Sequence, residues 1–193
     1  GAAFESGGNP GVNPASNNAM PGAGAVYVYV REGSSWKQQA YLKASNPGEG
    51  DNFGAAVALS GNTLVVGAPF EDSLSNDING SDNDDLGDSG AAYVFVRTGS
   101  TWTQQAYVKP VSPGATDRFG ASVSIFQDSI VVGASFEDSN SNVINSGQTN
   151  NDANQAGAAY VFTRSAGIWS QEAYLKPTNA NAGDRFGQAV AIS

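Results

Sequence analysis

Polar and apolar positions alternate along this chain in short bursts. "GASVSIF" (Gly120–Phe126) sets Val123 and Ile125 against Ser122 and Ser124, the period of two expected of a half-buried strand. "SIVVGA" (Ser129–Ala134) is a continuous apolar run, as in a strand covered on both faces. "AAYVFVR" (Ala91–Arg97) and "WTQQAYVK" (Trp102–Lys109) complete a set of four predicted strands, rich in β-branched and aromatic residues. The links "TGST" (Thr98–Thr101) and "QD" (Gln127–Asp128) are short and made of turn residues, so each predicts an antiparallel hairpin. No amphipathic helix is predicted anywhere.

The same set recurs. Trp36, Trp102 and Trp169 lie 66 and 67 residues apart, and Phe53-Gly54, Phe119-Gly120 and Phe186-Gly187 keep that interval. "GAAFES" (Gly1–Ser6) returns as "GAPFED" (Gly67–Asp72) and "GASFED" (Gly133–Asp138). The chain is therefore read as three units, 1–66, 67–132 and 133–193, the last lacking a counterpart of "GNTLVV" (Gly61–Val66). A four-stranded antiparallel repeat is the unit of a β-propeller blade. Such a sheet gains its core only by stacking on neighbours, so the fold class is all-β, with recurring Tyr, Trp and Phe filling the spaces between blades. Gly54, Gly120 and Gly187 predict a close backbone approach.

The wording "RFG…SV…VVGA…GAAYVF" resembles the FG-GAP repeat, carried here by Phe53-Gly54 with Gly67-Ala68-Pro69, Phe119-Gly120 with Gly133-Ala134-Ser135, and Phe186-Gly187. The resemblance covers essentially the whole chain. It implies the propeller of integrin α-subunits and of many bacterial surface and secreted proteins, and hence an extracellular or cell-surface location. Three units cannot close a ring of the usual four to eight blades. The chain is read as part of a longer propeller, or as a piece whose open strand edges pair with another chain. Integrin-type blades hold calcium between the FG and GAP strands. Here those positions are the tight turns Leu59–Thr63 and Ile125–Ser129, so that site is not carried over.

Composition narrows the chemistry. The net charge is −9, which repels phosphate backbones and argues against nucleic acid. Histidine and cysteine are both absent, removing the Ser-His-Asp triad and thiolate metal sites. No apolar run approaches the roughly 20 residues of a membrane span.

Long connections begin at Phe4, Phe70 and Phe136, and repeat Glu5, Glu71 and Glu137. They also repeat Val12-Asn13, Ile78-Asn79 and Ile144-Asn145. The apolar members are expected to plug into the body and the Asn side chains to bond local backbone. The middle connection is the metal candidate. Asp72, Asp77, Asn79, Asp82 and Asp84 supply the oxygens calcium takes, although the spacing fits an EF-hand poorly and a solvated acidic face is the plainer reading. Asp51, Asp117 and Asp184 precede each FG pair; they are expected to bond backbone N–H groups at a turn rather than to act as acid and base. Trp36, Trp102 and Trp169 are expected to pack rather than stack on sugars. Lys43, Lys109 and Lys176 end the second strand and are expected to blunt an edge.

The reading that results is a non-enzymatic propeller segment for adhesion, matrix assembly or protein binding, with a protein or glycan partner at the cell surface. Two alternatives stay open: a subunit that self-assembles through open blade edges, and a propeller-based glycan-acting enzyme.

Overall fold

A computed structural model describes residues 1–15, 17–81 and 83–193. It contains ten strands: β1 (Val26–Glu32), β2 (Ser35–Leu42), β3 (Ala56–Ser60), β4 (Thr63–Ala68), β5 (Ala91–Thr98), β6 (Thr101–Val108), β7 (Ser122–Phe126), β8 (Ser129–Ala134), β9 (Ala158–Ser165) and β10 (Ile168–Leu175). Among the described residues there is no helix. The strands form propeller-blade sheets in the orders β1-β2, β3-β4-β5-β6 and β7-β8-β9-β10, all antiparallel. The predicted hairpins are present. Their turns put Gly61 (φ 57) and Gln127 (φ 54) in the left-handed region, the geometry that two-residue hairpin turns demand.

The sheets do not coincide with the units 1–66, 67–132 and 133–193. β3 and β4 come from the end of one unit, and β5 and β6 from the start of the next. The long connection after β4 folds back within its own sheet, so Ala68 pairs with Ala91. The connection after β6 instead crosses to the neighbouring sheet, where Gly90 bridges Phe119. Residues 188–193 repeat the wording of β3 but carry no strand.

Two apolar cores lie between adjacent sheets. Phe53, Tyr93, Phe95 and Trp102 sit in one, and Phe119, Tyr160, Phe162 and Trp169 in the other. Phe53 meets Tyr93 edge-on at 5.2 Å, and Phe119 meets Tyr160 in the same way at 5.3 Å. Each buried aromatic contributes about 1.5–3 kcal/mol of transfer free energy. Trp102 and Trp169 are buried as expected. Trp36, on the two-stranded sheet, is 68% exposed, because among the described residues no second sheet packs over it.

The tryptophans are placed by a device the sequence does not announce. Each outer pair carries a bulge, at Gln39 between β1 and β2, Gln105 between β5 and β6, and Glu172 between β9 and β10. A bulge re-aims its side chain. Gln39 Oε1 thereby accepts from Trp102 Nε1 of the next sheet at 2.9 Å, and Gln105 Oε1 accepts from Trp169 Nε1 at 2.9 Å.

Close approach at the FG glycines is confirmed. Gly120 has φ 92, and a Cβ there would lie 2.2 Å from the Ala91 carbonyl oxygen. A Cβ on Gly67 of the preceding sheet would lie 1.9 Å from the Gly120 oxygen.

Candidate functional site

Antiparallel pairing sorts the connections by length. Ala68↔Ala91 and Ala92↔Val108 place the end of β4, the start of β5 and the end of β6 at one edge of the sheet. All the long connections therefore emerge together, while the tight hairpin turns occupy the opposite edge. Loops gathered on a rigid scaffold in this way are the usual place for recognition.

The base of each long loop is locked from below. Lys109 Nζ lies 2.9 Å from Glu71 Oε2, with the side chains 0% and 2% exposed. The same ammonium donates to Ser89 Oγ at 2.6 Å and to the Gly90 carbonyl at 2.8 Å, so all three protons are placed. The Tyr107 hydroxyl donates to Glu71 Oε1 at 2.7 Å. The third unit repeats this with Glu137, Lys176 and Tyr174, the ion pair closing at 2.8 Å. In the first, Lys43 pairs with Glu5 at 3.0 Å and also donates to the Gly24 carbonyl.

Burial works to raise the Glu5 carboxyl, but the bonds from Lys43, the Gly7 backbone and Tyr41, together with the Lys43 charge, outweigh it and hold the group below its ordinary value. Burial pushes the Tyr174 phenol well up, and the Glu137 charge adds to this.

This corrects the expectation for Lys43, Lys109 and Lys176. They do not blunt an edge. They are buried charges, and a buried charge requires a partner. The available signal was the constant separation of Glu and Lys, 38, 38 and 39 residues.

A second clamp uses the recurring asparagines. Asn79 Oδ1 accepts from Tyr107 N at 2.9 Å, and Asn79 N donates to the Tyr107 carbonyl at 2.8 Å. Asn145 makes the same pair of bonds with Tyr174, and Asn13 with Tyr41. These asparagines thus bond a distant strand rather than local backbone. Val12 and Ile78 pack against the two cores. Ile144 does not plug in and is 57% exposed, since among the described residues no sheet stands where Ile78 finds one.

Asp51, Asp117 and Asp184 behave as the turn reading requires. Their Oδ2 atoms accept from Gly48 N at 2.7 Å, Gly114 N at 2.8 Å and Asn181 N at 2.8 Å. Burial, with the nearby Glu137 charge, pushes the Asp117 carboxyl up to about 7.

The residue after this Asp joins the sheets. The Arg118 guanidinium lies over Phe70 at 4.8 Å and Phe136 at 4.0 Å, and Arg185 lies over Phe136 at 4.8 Å. Asn52 replaces the arginine in the first unit, and there Phe4 is 82% exposed.

The metal candidates share the middle loop but have separate tasks. Asp72 Oδ1 accepts from Asp88 N at 2.7 Å, and Asn79 Oδ1 is held by Tyr107 N. Asp77 and Asp84 are exposed, and Asp84 sits at φ 46. Asp82 lies outside the described residues. Among the described residues, no group of three Asp, Glu, His or Cys side chains converges on a point where an ion could be held.

A family model described as FG-GAP repeat covers residues 36–95, 102–162 and 169–193. Each match begins at the recurring tryptophan, Trp36, Trp102 or Trp169, on the outer strand pair. No curated protein matches the chain.

Proposed function

The chain belongs to the FG-GAP repeat family, and from that premise we propose a non-enzymatic recognition segment that binds a protein or glycan at the outer surface of a cell. The observation that carries this reading is the sorting of connections. Every long loop leaves the sheets at one edge, and each is fixed at its base by a buried Glu–Lys pair. A fixed base with a variable rim suits binding: the loops differ in sequence without disturbing the sheets.

A propeller-based enzyme is less well supported. The three phased aspartates are occupied by turn N–H groups. The family's usual role supports an extracellular setting. No helix of the described residues is long and apolar enough to cross a membrane.

The absence of native cysteine permits a direct test. Single cysteines at Asp85 on the loop edge and at Thr98 on the turn edge can be coupled to polyethylene glycol. Beads coated with each conjugate are then screened on arrays of extracellular proteins and glycans. The loop-edge label is expected to abolish capture and the turn-edge label to leave it intact. Equal capture by both would reject the loop edge as the recognition surface.

A second reading rests on β1, which among the described residues pairs only with β2 and carries exposed Tyr29 beside an open edge, with Trp36 exposed on β2. Open edges template strand pairing, so self-association through β1 is the alternative. Sedimentation velocity decides it, because a species whose mass does not rise with concentration rules it out.

A further inference from the structure

The sign of the loop edge points to a partner. Of the 18 acidic residues, only Glu32, Asp128 and Glu172 fall on strands or hairpin turns, alongside Arg31, Lys37, Arg97 and Arg164. Strands and turns are thus close to neutral, and the long connections carry essentially the whole net charge of −9. The cations at this edge are already engaged. Lys43, Lys109 and Lys176 are held in buried pairs, and Arg118 and Arg185 lie against phenylalanine rings. Among the described residues, no ion pair uses an aspartate of the 70–90 loop.

A mostly polar groove that carries two exposed apolar side chains opens beside Asp77. The middle loop and the connection after β6 border a space of about 510 Å³ lined by Leu74, Asp77, Asn83, Val111 and Pro113. Leu74 is 49% exposed and Val111 58% exposed. Two apolar side chains held open to water beside the Asp77 carboxylate, on a loop rich in exposed acids, favour a ligand that is both greasy and positive. Among the described residues the carboxylates are spread along the loop and do not converge on a point, which suits separate positive side chains better than one small ion.

We propose that this groove docks a basic segment of a partner protein. An apolar side chain of that segment sits between Leu74 and Val111, and flanking Lys or Arg side chains face Asp77, Asp84 and Asp85. The proposal rests on the reading of the loop edge as a recognition surface, and it names the chemistry recognised there. The apolar anchor supplies most of the affinity. The exposed carboxylates steer encounter, reject acidic competitors and make binding salt-dependent.

The probe is a fluorescein-labelled dodecapeptide alternating Lys and Leu, followed by anisotropy. An alternating Glu and Leu peptide and an all-Lys peptide serve as controls. The Lys–Leu peptide is expected to bind at least about tenfold tighter than either control and to weaken as salt rises. Asp77→Asn, Asp84→Asn and Asp85→Asn together are expected to weaken it about tenfold, and so is the pair Leu74→Ser with Val111→Ser. Glu172→Gln, away from the loop edge, leaves it unchanged. All these side chains are surface-exposed, so circular dichroism should show each variant folded.

Equal binding of the Lys–Leu and Glu–Leu peptides overturns the proposal, as does indifference to either set of loop variants. Displacement of the peptide by calcium at constant ionic strength also overturns it, by assigning the carboxylates to a metal. If the peptide fails while the loop-edge label still blocks bead capture, only the basic partner is lost and the recognition edge survives. If the label has no effect, the recognition edge itself falls.

Discussion

Glu71 and Asp85 are carboxylates of the same loop with opposite tasks. Glu71 is 1% exposed and holds Lys109 and Tyr107 beneath the loop. Asp85 is exposed at the rim and, among the described residues, in no ion pair. Charge in this molecule therefore has two meanings. At the base, where water is excluded, it enforces one geometry because an unmatched partner is costly. At the rim, where water screens it, it contributes little to folding and stays available to a partner.

The largest effect should come from breaking the base. Lys109→Met leaves Glu71 buried without its cation and is expected to cost about 3–5 kcal/mol, measured as a shift in the urea midpoint. Adding Glu71→Leu should restore most of that loss, because replacing a whole buried pair by apolar groups is often neutral. Lys43→Met is expected to cost less, since the Glu5 side chain is 18% exposed and keeps some water. Equal losses at the two stations would show that burial does not set the difference.

A smaller effect lies between base and rim, at Asp117. Its carboxyl is raised from 3.8 to about 7 in the folded protein. The folded state therefore holds this proton more tightly than the unfolded chain. The resulting stability is fully present below about pH 4 and is lost as pH rises through about 7. With no histidine in the chain, few other groups titrate in that window. Asp117→Asn keeps an acceptor for Gly114 N and should flatten the fall in urea midpoint between pH 5 and pH 8. An unchanged slope would place the titrating group elsewhere.

The smallest effects belong to the rim. Asp85→Asn is expected to change folding stability by no more than about 0.5 kcal/mol. Millimolar calcium should leave the melting temperature where a chelator leaves it, because Asp72 and Asn79 already accept backbone N–H bonds. A rise of several degrees with calcium would instead make Asp72, Asp77, Asn79, Asp82 and Asp84 a stabilising ion site.

Much of this was legible in the residues alone. Alternation in "ASVSIF" and the apolar run "IVVGA" mark β7 and β8. The Asp before each FG pair marks a turn because a short acceptor meets N–H groups only three residues away. Such features are local, and local sequence decides them. The recurring interval likewise established how many similar pieces exist. It could not establish where one sheet ends, because a period carries no phase.

Tertiary structure settled what depends on which edges meet. The chain's return after β4 put β3 and β4 in one sheet with β5 and β6. The same motif then yielded a Trp102 buried at 2% and a Trp36 exposed at 68%. Lys109 reads as a strand-end charge until the loop folds back and sets Glu71 over it. Contacts across a long loop are won by packing and exclusion of water, and no short stretch of sequence encodes either.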